Sequence, residues 1–465
     1  MRWEQRIRTP IRRAVHEVLK IGPPTGITSA GSFGKRHDPS RRSFRRASLV
    51  DTFEPSTSLA PQGAVWGDMT FAIEPPLKGL RVVELTHTIL GPSCGMILAD
   101  LGAEVIKVEP VDGDRTRRLA GFGAGFFGYF NRNKKSLALD ADAPEGRAVL
   151  TKLLQSSDVL IENFAPGSMA KRKLGPKHLE AINPRLVYCA LKGFLPGPYE
   201  KRPALDEVVQ MMGGLAYMTG PSGRPLRAGT SVVDIMGGIF GAFGTVLALK
   251  QRERTGKGGL VESALFESVV FLMGQHLAIT AMNGGTPPPP MPERVSSWAV
   301  YEIFATADGQ QVFVGITSDG QWKRFCGVFG QPELAADQRL ATNNQRIEAR
   351  PWLVPKVAEI FKRHDRADLE RLCLEADISF APVARPQELF NHPHLLANGS
   401  LAPTTLPGGI QTRLPLLPFQ MMGWRPPLIA DPPTIGQHND EVLAALGYDA
   451  DGIAALKAAG RLGPA

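Results

Sequence analysis

Apolar positions recur at every second residue in Leu80-Arg-Val-Val-Glu-Leu85, which predicts a strand. Gly91-Pro92 then opens a helical stretch to Leu101, with the proline tolerated in the first turn. Ala103 to Glu109 reads as a second strand, so a right-handed βαβ unit is expected at the start of the ordered chain. The pattern then repeats: a short strand Leu137-Ala-Leu-Asp140, a helix from Pro144 to Ser156, a strand Asp158-Val-Leu-Ile-Glu162, a helix from Pro176 to Ile182 and a strand from Arg185 to Leu191. Alternation of this kind predicts an α/β fold, a parallel sheet with helices on both faces in a Rossmann-like layout.

Two helical stretches follow, Asp206 to Tyr217 and Ser231 to Arg254. They carry glycines (Gly213, Gly214, Gly237, Gly238, Gly241, Gly244) at intervals that suit close helix or ligand approach. Thr255 to Gly259 is a turn, and the chain from Leu260 returns to an apolar strand and helix. The run Asn283 to Pro292, rich in glycine and proline, is a stiff linker and a boundary. Beyond it Ala299 to Ile316 reads as a hairpin turning at Asp308-Gly309, with helices at about 319–329, 352–364 and 366–375. His392 to Pro433 reads as irregular and proline-rich, and Asn439 to Gly447 as a last amphipathic helix. The expected organisation is a basic, poorly ordered extension (1–76), a large Rossmann-like domain (77–285), an inserted smaller α+β domain (286–395) and a C-terminal return to the large domain (396–465).

Composition narrows the function classes. Hydrophobic residues make up 43% of the 465, and charged residues 21%, which suits a folded protein rather than a disordered one. The four cysteines, Cys94, Cys189, Cys326 and Cys373, lie far apart, so neither a disulfide frame nor a zinc site is expected, and no metal. The net charge of +8 is concentrated: before Met69 twelve cations stand against six acids, which assigns the basicity to the extension and gives no sign of nucleic-acid binding by the body. That extension reads as an over-extended start, with a mitochondrial transit peptide as the alternative, and the expected location is the cytoplasm. The longest uninterrupted apolar run, Ile235 to Leu249, falls short of the roughly 20 residues of a membrane span, so no membrane partner is expected. After the first strand there is no G-x-G-x-x-G, which disfavours NAD.

The chemistry is expected at Leu226 to Gly238, where Asp234 stands alone between two valines and the glycine-rich run. Desolvation there would raise its pKa and suit it to nucleophilic attack. Ser231-x-x-Asp234 is equally a capping-box pattern, in which Asp234 only reaches back to the helix start. Asn131-Arg-Asn-Lys-Lys-Ser136 sets cations and amides ahead of a strand, as a solvated turn or as phosphate contacts. His87 and Asn163 each follow a strand, at the edge where such sheets bind ligands. Asp206 and Glu207 read as helix-start acids.

Together, Leu77 to Leu85, Gly91-Pro92, Leu101 to Pro110, Asn131 to Ser136, Glu162-Asn-Phe-Ala-Pro-Gly167, Thr255-Gly-Lys-Gly258 and Phe304 to Gly309 resemble family III CoA-transferases. The resemblance implies Asp234 as the nucleophile. It implies adenine and pantetheine contacts on His87, Thr88, Ile89 and Leu90, and phosphate- and ribose-side contacts on Asn131, Lys134, Lys135, Asn163 and Arg172. It further implies an interlocked homodimer. Coenzyme A and its acyl thioesters would be substrates, with a small carboxylic acid as acceptor and no tightly bound cofactor. Gly237 and Gly238 are candidate oxyanion donors, Gly284 and Gly285 a mobile shielding loop, and Arg227 a holder for the distal carboxylate of a dicarboxylate such as a succinyl donor. Two other readings stand beside this one. A 2-methylacyl-CoA racemase-like enzyme is disfavoured because Leu205 cannot shuttle a proton, and a non-catalytic CoA-binding protein is disfavoured by the presence of Asp234.

Overall fold

The computed structural model describes residues 73–294 and 296–464. All but the last four residues of the basic extension lie outside the described residues.

Six strands, β1 (Arg81–Leu85), β2 (Glu104–Glu109), β3 (Lys134–Ala138), β4 (Val159–Glu162), β5 (Val187–Lys192) and β6 (Gly259–Ala264), form one sheet in the order 3-2-1-4-5-6. Every neighbouring pair is parallel. That is the Rossmann order, and its strand sequence reverses direction between β1 and β4, where a crevice opens at the carboxyl ends.

The central strands β1, β2, β4 and β5 are mostly buried and rich in Val, Ile and Leu because both faces of the sheet are covered there. Alternate residues feed two cores. Val83, Ile106, Leu137 and Leu160 face one core with Val149, Leu150 and Leu153; Val82, Val105, Val159 and Ile161 face the other. The helices that cover them are α1 (Leu90–Asp100), α2 (Pro144–Gln155), α3 (Pro176–Ile182), α4 (Asp206–Met212), α5 (Val232–Thr255) and α6 (Leu265–Leu272), and α7 (Gly274–Met282) follows with no buried residue. At 24 residues α5 is about 36 Å long at 1.5 Å per residue. It is long and apolar enough to cross a bilayer, more so than the run Ile235 to Leu249 suggested, yet one side of it is packed into the core against α1 and β5.

A third hydrophobic core lies around an antiparallel sheet, β7 (Val300–Ala305), β8 (Gln311–Ile316) and β9 (Ser379–Pro382), covered by α8 (Asp319–Val328), α9 (Arg350–Phe361) and α10 (Arg366–Glu375). The chain then forms a hairpin, β10 (Leu401–Leu406) and β11 (Ile410–Pro415), where irregular structure is expected from Pro403, Pro407 and Pro415. Two helices, α11 (Asn439–Ala445) and α12 (Ala450–Ala458), close the chain against β3. Asn439 Oδ1 accepts from the Ala138 N–H and His438 Nδ1 from the Ser136 N–H, so residues some 300 positions apart share one sheet edge.

Three further differences from the sequence reading have local causes. The expected helix from Asp206 to Tyr217 breaks after Met212, because Gly214 takes a φ of +87°. Strand β3 begins at Lys134, three residues before the apolar alternation starts, because Lys134 and Ser136 point inward and find polar partners there. Helix α12 is capped by Asp449, whose side chain accepts from the Gly452 N–H, and it was not anticipated.

Candidate active site

The loop after β1 is anchored at the reversal point of the sheet. Asn163, which follows β4, accepts the His87 N–H on Oδ1 at 3.0 Å and donates from Nδ2 to the His87 carbonyl at 2.9 Å. The Thr88 N–H donates to Thr116 Oγ1 at 3.0 Å, and Thr88 itself sits at φ +67°, a strained conformation for a β-branched residue. His87 lies beside Phe164 with ring centroids 6.0 Å apart, and burial, then the nearby Arg115 charge, lower its pKa. His87, Thr88 and Asn163 therefore sit partly open on one rim. Ile89 and Leu90 do not present side chains there: both are buried, Ile89 against Met96 and Phe130 at the start of α1, so only their backbone is available to a ligand.

The cations of Asn131 to Ser136 correct the expectation of a phosphate cradle. Lys134 is fully buried, 2.7 Å from Glu84 Oε2, and it donates to the Pro92 carbonyl and to Asn131 Oδ1. Arg132 is paired with Asp100 at 2.7 Å. Lys135 bridges Glu104 and Glu441 at 2.6 and 2.7 Å, beside Arg81 at the amino ends of the strands. Buried charge must be paired, and here pairing leaves Asn131 and Lys134 no open side toward solvent. Arg172 is half-exposed, 3.1 Å from Asp142 and over the Phe164 ring. Arg115, which the sequence reading passed over, is exposed beside His87; its only signal was its place in the cationic run after β2.

Asp234 stands in the first turn of α5. The capping-box reading fails: Ser231, at the N-cap position, makes no side-chain cap. The cap comes from α4 instead. Asp206 Oδ2 accepts from the N–H groups of Val233 and Asp234 at 2.9 and 3.1 Å, while the Val232 N–H donates to the Thr230 carbonyl. Asp206 thus does more than its expected role at the start of its own helix. Burial first, and then the negative charge of Asp206, push the Asp234 carboxyl up to about 7, with Arg227 partly opposing.

Gly237 and Gly238 do not supply oxyanion donors. They lie inside α5, where a helical N–H bonds the carbonyl four residues back, and both face α1. A Cβ on Gly237 would lie 2.7 Å from Leu90 Cδ1, and one on Gly238 would run into Ser93 Oγ. Their function is close approach, which brings the start of α5 against the start of α1 and so sets Ile235 among Ile89, Met96 and Phe130.

Arg227 lies next to this carboxylate pair. Its Nη1 donates to Glu207 at 2.6 Å, its Nε to the Ala228 carbonyl, and its face covers the exposed Phe122 ring at 5.1 Å. Its Nη2 is buried without a hydrogen-bond partner, 3.6 Å from Asp206 Oδ1. Gly284 and Gly285 close α7, at φ +64° and +94°, their N–H groups bonded to the Ala281 and Thr280 carbonyls, with open space on the side a Cβ would take.

A family model described as CoA-transferase family III matches residues 77–439. The succinate–glutarate CoA-transferase of Agrobacterium fabrum is 33% identical over 397 residues, covering 80% of this chain and 96% of its own. The human succinyl-CoA:glutarate CoA-transferase is 32% identical over 399 residues, covering 83% and 89%. The succinyl-CoA–D-citramalate CoA-transferase of Chloroflexus aurantiacus is 33% identical over 403 residues, covering 82% and 97%. Among solved structures, a CAIB/BAIF family protein from Brucella suis superposes with a TM-score of 0.71 at 33% identity, over 80% of this chain and 99% of that one.

Proposed function

The chain belongs to CoA-transferase family III, and we propose that it moves CoA between dicarboxylic acids with Asp234 as the acyl acceptor. One observation carries the role of Asp234: a partly open carboxylate at the start of α5, its pKa raised to about 7 by burial and a neighbouring acid, with the next residue, Ile235, packed on Ile89 at the end of the β1 loop. A raised pKa means a weakly solvated, more basic carboxylate, which is what attack on a thioester requires.

In the proposed cycle an Asp234 oxygen bonds to the thioester carbonyl carbon, the C–S bond breaks, and the electron pair leaves with the CoA thiolate. The thiolate then attacks Asp234 Cγ; the anhydride C–O bond breaks, giving an aspartyl-CoA thioester and the free donor acid. The acceptor carboxylate attacks Cγ and releases the thiolate, which takes the acceptor's acyl carbon and frees Asp234. No proton is gained or lost, and one thioester replaces another. Arg115 and Arg172, exposed on either side of the His87–Asn163 rim, suit the phosphates of CoA as point charges. The unpartnered Nη2 of Arg227 suits the distal carboxylate of a dicarboxylate, in keeping with the acids named for the relatives. Gly284 and Gly285 are the proposed hinge of a segment that shields the intermediates from water.

The exposed side of α5 carries Ile239, Phe243 and Leu247 one turn apart, and α6 and α7 add Phe271, Leu277 and Met282. A second copy of the chain covering this stripe is the partner we propose. The test of the activity is direct. Succinyl-CoA with glutarate should yield glutaryl-CoA, and hydroxylamine should discharge an adduct that mass spectrometry maps to Asp234. An Asp234→Ala protein that transfers CoA at the parent rate would sink the assignment, and tight CoA binding with an inert Asp234 would favour a binding protein.

A further inference from the structure

Asp206 sits at the first position of α4, yet its side chain serves α5. One oxygen takes the Val233 and Asp234 N–H groups; the other accepts from Gln210 Nε2 at 2.5 Å and lies 3.6 Å from Arg227 Nη2. Gln210 is held in turn, its Oε1 accepting the Ala228 N–H at 2.9 Å. Asp206 is buried, as is Gln210, so this is a fixed bracket between two helices and the Arg227 loop. An N-cap is ordinarily supplied by the residue that starts the helix; here Ser231 leaves that task to Asp206, 27 positions before the Val233 N–H that it accepts.

We propose that Asp206 is a positioning residue for the transfer reaction, a carboxylate lent by α4 that fixes the backbone of Asp234 and, by its charge, favours the acylated over the free form of that side chain. The inference rests on the reading of Asp234 as acyl acceptor. With both carboxylates ionised, two like charges share one helix start. When the Asp234 oxygen bonds the acyl carbon, its charge departs with the CoA thiolate and the repulsion ends. The gain exists only after bond formation, so it favours the covalent intermediate over the resting enzyme. The groups facing Asp234 agree with this. α4 brings Asp206, the chain after it brings Arg227, itself tied to Glu207, and the start of α1 packs apolar Ile89 and Leu90 against the neighbouring Ile235 and Gly237. The upward shift of Asp234, of which Asp206 is the second cause after burial, has the same sign.

Asp206→Asn retains an oxygen for both N–H groups but removes the charge, whereas Asp206→Ala removes both. The full chain is assayed with succinyl-CoA and glutarate from pH 5 to 9, and the adduct formed with succinyl-CoA alone is measured by intact-mass spectrometry. Asp206→Asn should keep KM for succinyl-CoA within about twofold, move the acid limb of kcat about one pH unit lower and reduce the adduct fraction about tenfold. Asp206→Ala should lower kcat by about a hundredfold or more, from misplacement of the Asp234 backbone. An unmoved acid limb and an unchanged adduct in Asp206→Asn would overturn the proposal. Should that variant not fold, Gln210→Ala decides, since it loosens Asp206 and keeps its charge: kcat should fall about tenfold with KM retained, and an unchanged kcat would overturn the positioning role. If Asp234→Ala abolishes transfer while the Asp206 variants behave as the parent, only this inference fails; if Asp234→Ala is fully active, the reading beneath it fails.

Discussion

Asn163 holds the His87 peptide from both sides, one amide oxygen on its N–H and one amide nitrogen on its carbonyl, across the point where the sheet reverses direction. This clamp keeps Thr88 at a positive φ, a conformation worth roughly 1–3 kcal/mol of strain for a non-glycine residue. Removing the clamp lets the loop relax away from the rim. Asn163→Ala should therefore raise KM for succinyl-CoA by about tenfold or more, since two peptide groups lose partners at about 1–3 kcal/mol each when buried. Asn163→Asp keeps the acceptor, loses the donor, and should fall between. Initial-rate kinetics at saturating acceptor measure both, and an unchanged KM in Asn163→Ala would remove the β1 loop from the CoA site.

Glu84 supports the site from beneath. It stands fully buried on β1 against two lysines, Lys134 at 2.7 Å and Lys107 at 3.4 Å, with Asp114 taking the other side of Lys107 at 3.0 Å. Taking away the anion leaves buried Lys134 without its ion-pair partner and Lys107 with Asp114 alone, whereas taking away Lys134 leaves Glu84 with Lys107 and the Thr86 hydroxyl. Glu84→Gln should cost about 3–5 kcal/mol, and Lys134→Met no more than about half of that. Burial lowers the Lys134 pKa from 10.5 to about 8 despite the attraction of Glu84. Between those values the native chain has released a proton that the unfolded chain keeps, so this group makes stability rise with pH there. Urea unfolding of both variants at pH 7 and 9.5 checks the order of costs, and Lys134→Met should lose that pH increment.

The glycines of α5 give a third prediction. A methyl on Gly238 would meet Ser93 Oγ and lie 2.9 Å from the Leu90 carbonyl oxygen; the second contact is backbone and cannot rotate away. Gly238→Ala gains helix propensity of about 1 kcal/mol yet must push α5 off α1, so the net effect should be a loss of about 1–3 kcal/mol with a fall in kcat. Gly244→Ala, whose methyl would meet only Val261 Cγ1 at 2.8 Å, should be milder. Equal thermal midpoints for the two variants would show that the α1–α5 approach does not position the carboxylate.

Much of this architecture was legible because β1, β2, β4 and β5 are short, apolar and spaced by helices, and because a parallel sheet covered on both faces leaves its mark as near-continuous apolar runs. The six-stranded parallel sheet and the membership of CoA-transferase family III both emerged from those runs and from the motifs between them. What was hidden depends on partners distant in sequence. Lys134 looks like a solvated turn residue until Glu84 is placed opposite it, and its burial shifts the start of β3. Asp206 looks like an acid at its own helix start because nothing local signals that its oxygen reaches Val233 and Asp234. Gly237 and Gly238 suggest backbone availability, but a glycine inside a helix can equally mean a neighbour's close approach, and only the packing of α1 decides. The hairpin from Leu401 to Pro415 was masked by prolines, which an edge pairing tolerates.

The strongest test concerns Asp234 itself, since the burial that would suit it to nucleophilic attack implies a cost in stability. Its pKa is about 7 in the folded chain against an ordinary 3.8. Between these values the native protein retains a proton that the unfolded chain has lost, so stability declines as pH rises through that window and the full penalty is present above pH 7. That difference corresponds to at most about 4 kcal/mol. Asp234→Asn removes the ionisation, so it should unfold at a higher temperature than the parent at pH 8 and at nearly the same temperature at pH 4. It should also transfer no CoA. The parent's kcat should rise with pH through about 7, as the nucleophilic carboxylate forms. Differential scanning calorimetry at pH 4, 6 and 8 measures the first effect. An Asn variant no more stable than the parent at pH 8 would mean that Asp234 is an ordinary solvated acid, ill suited to attack a thioester.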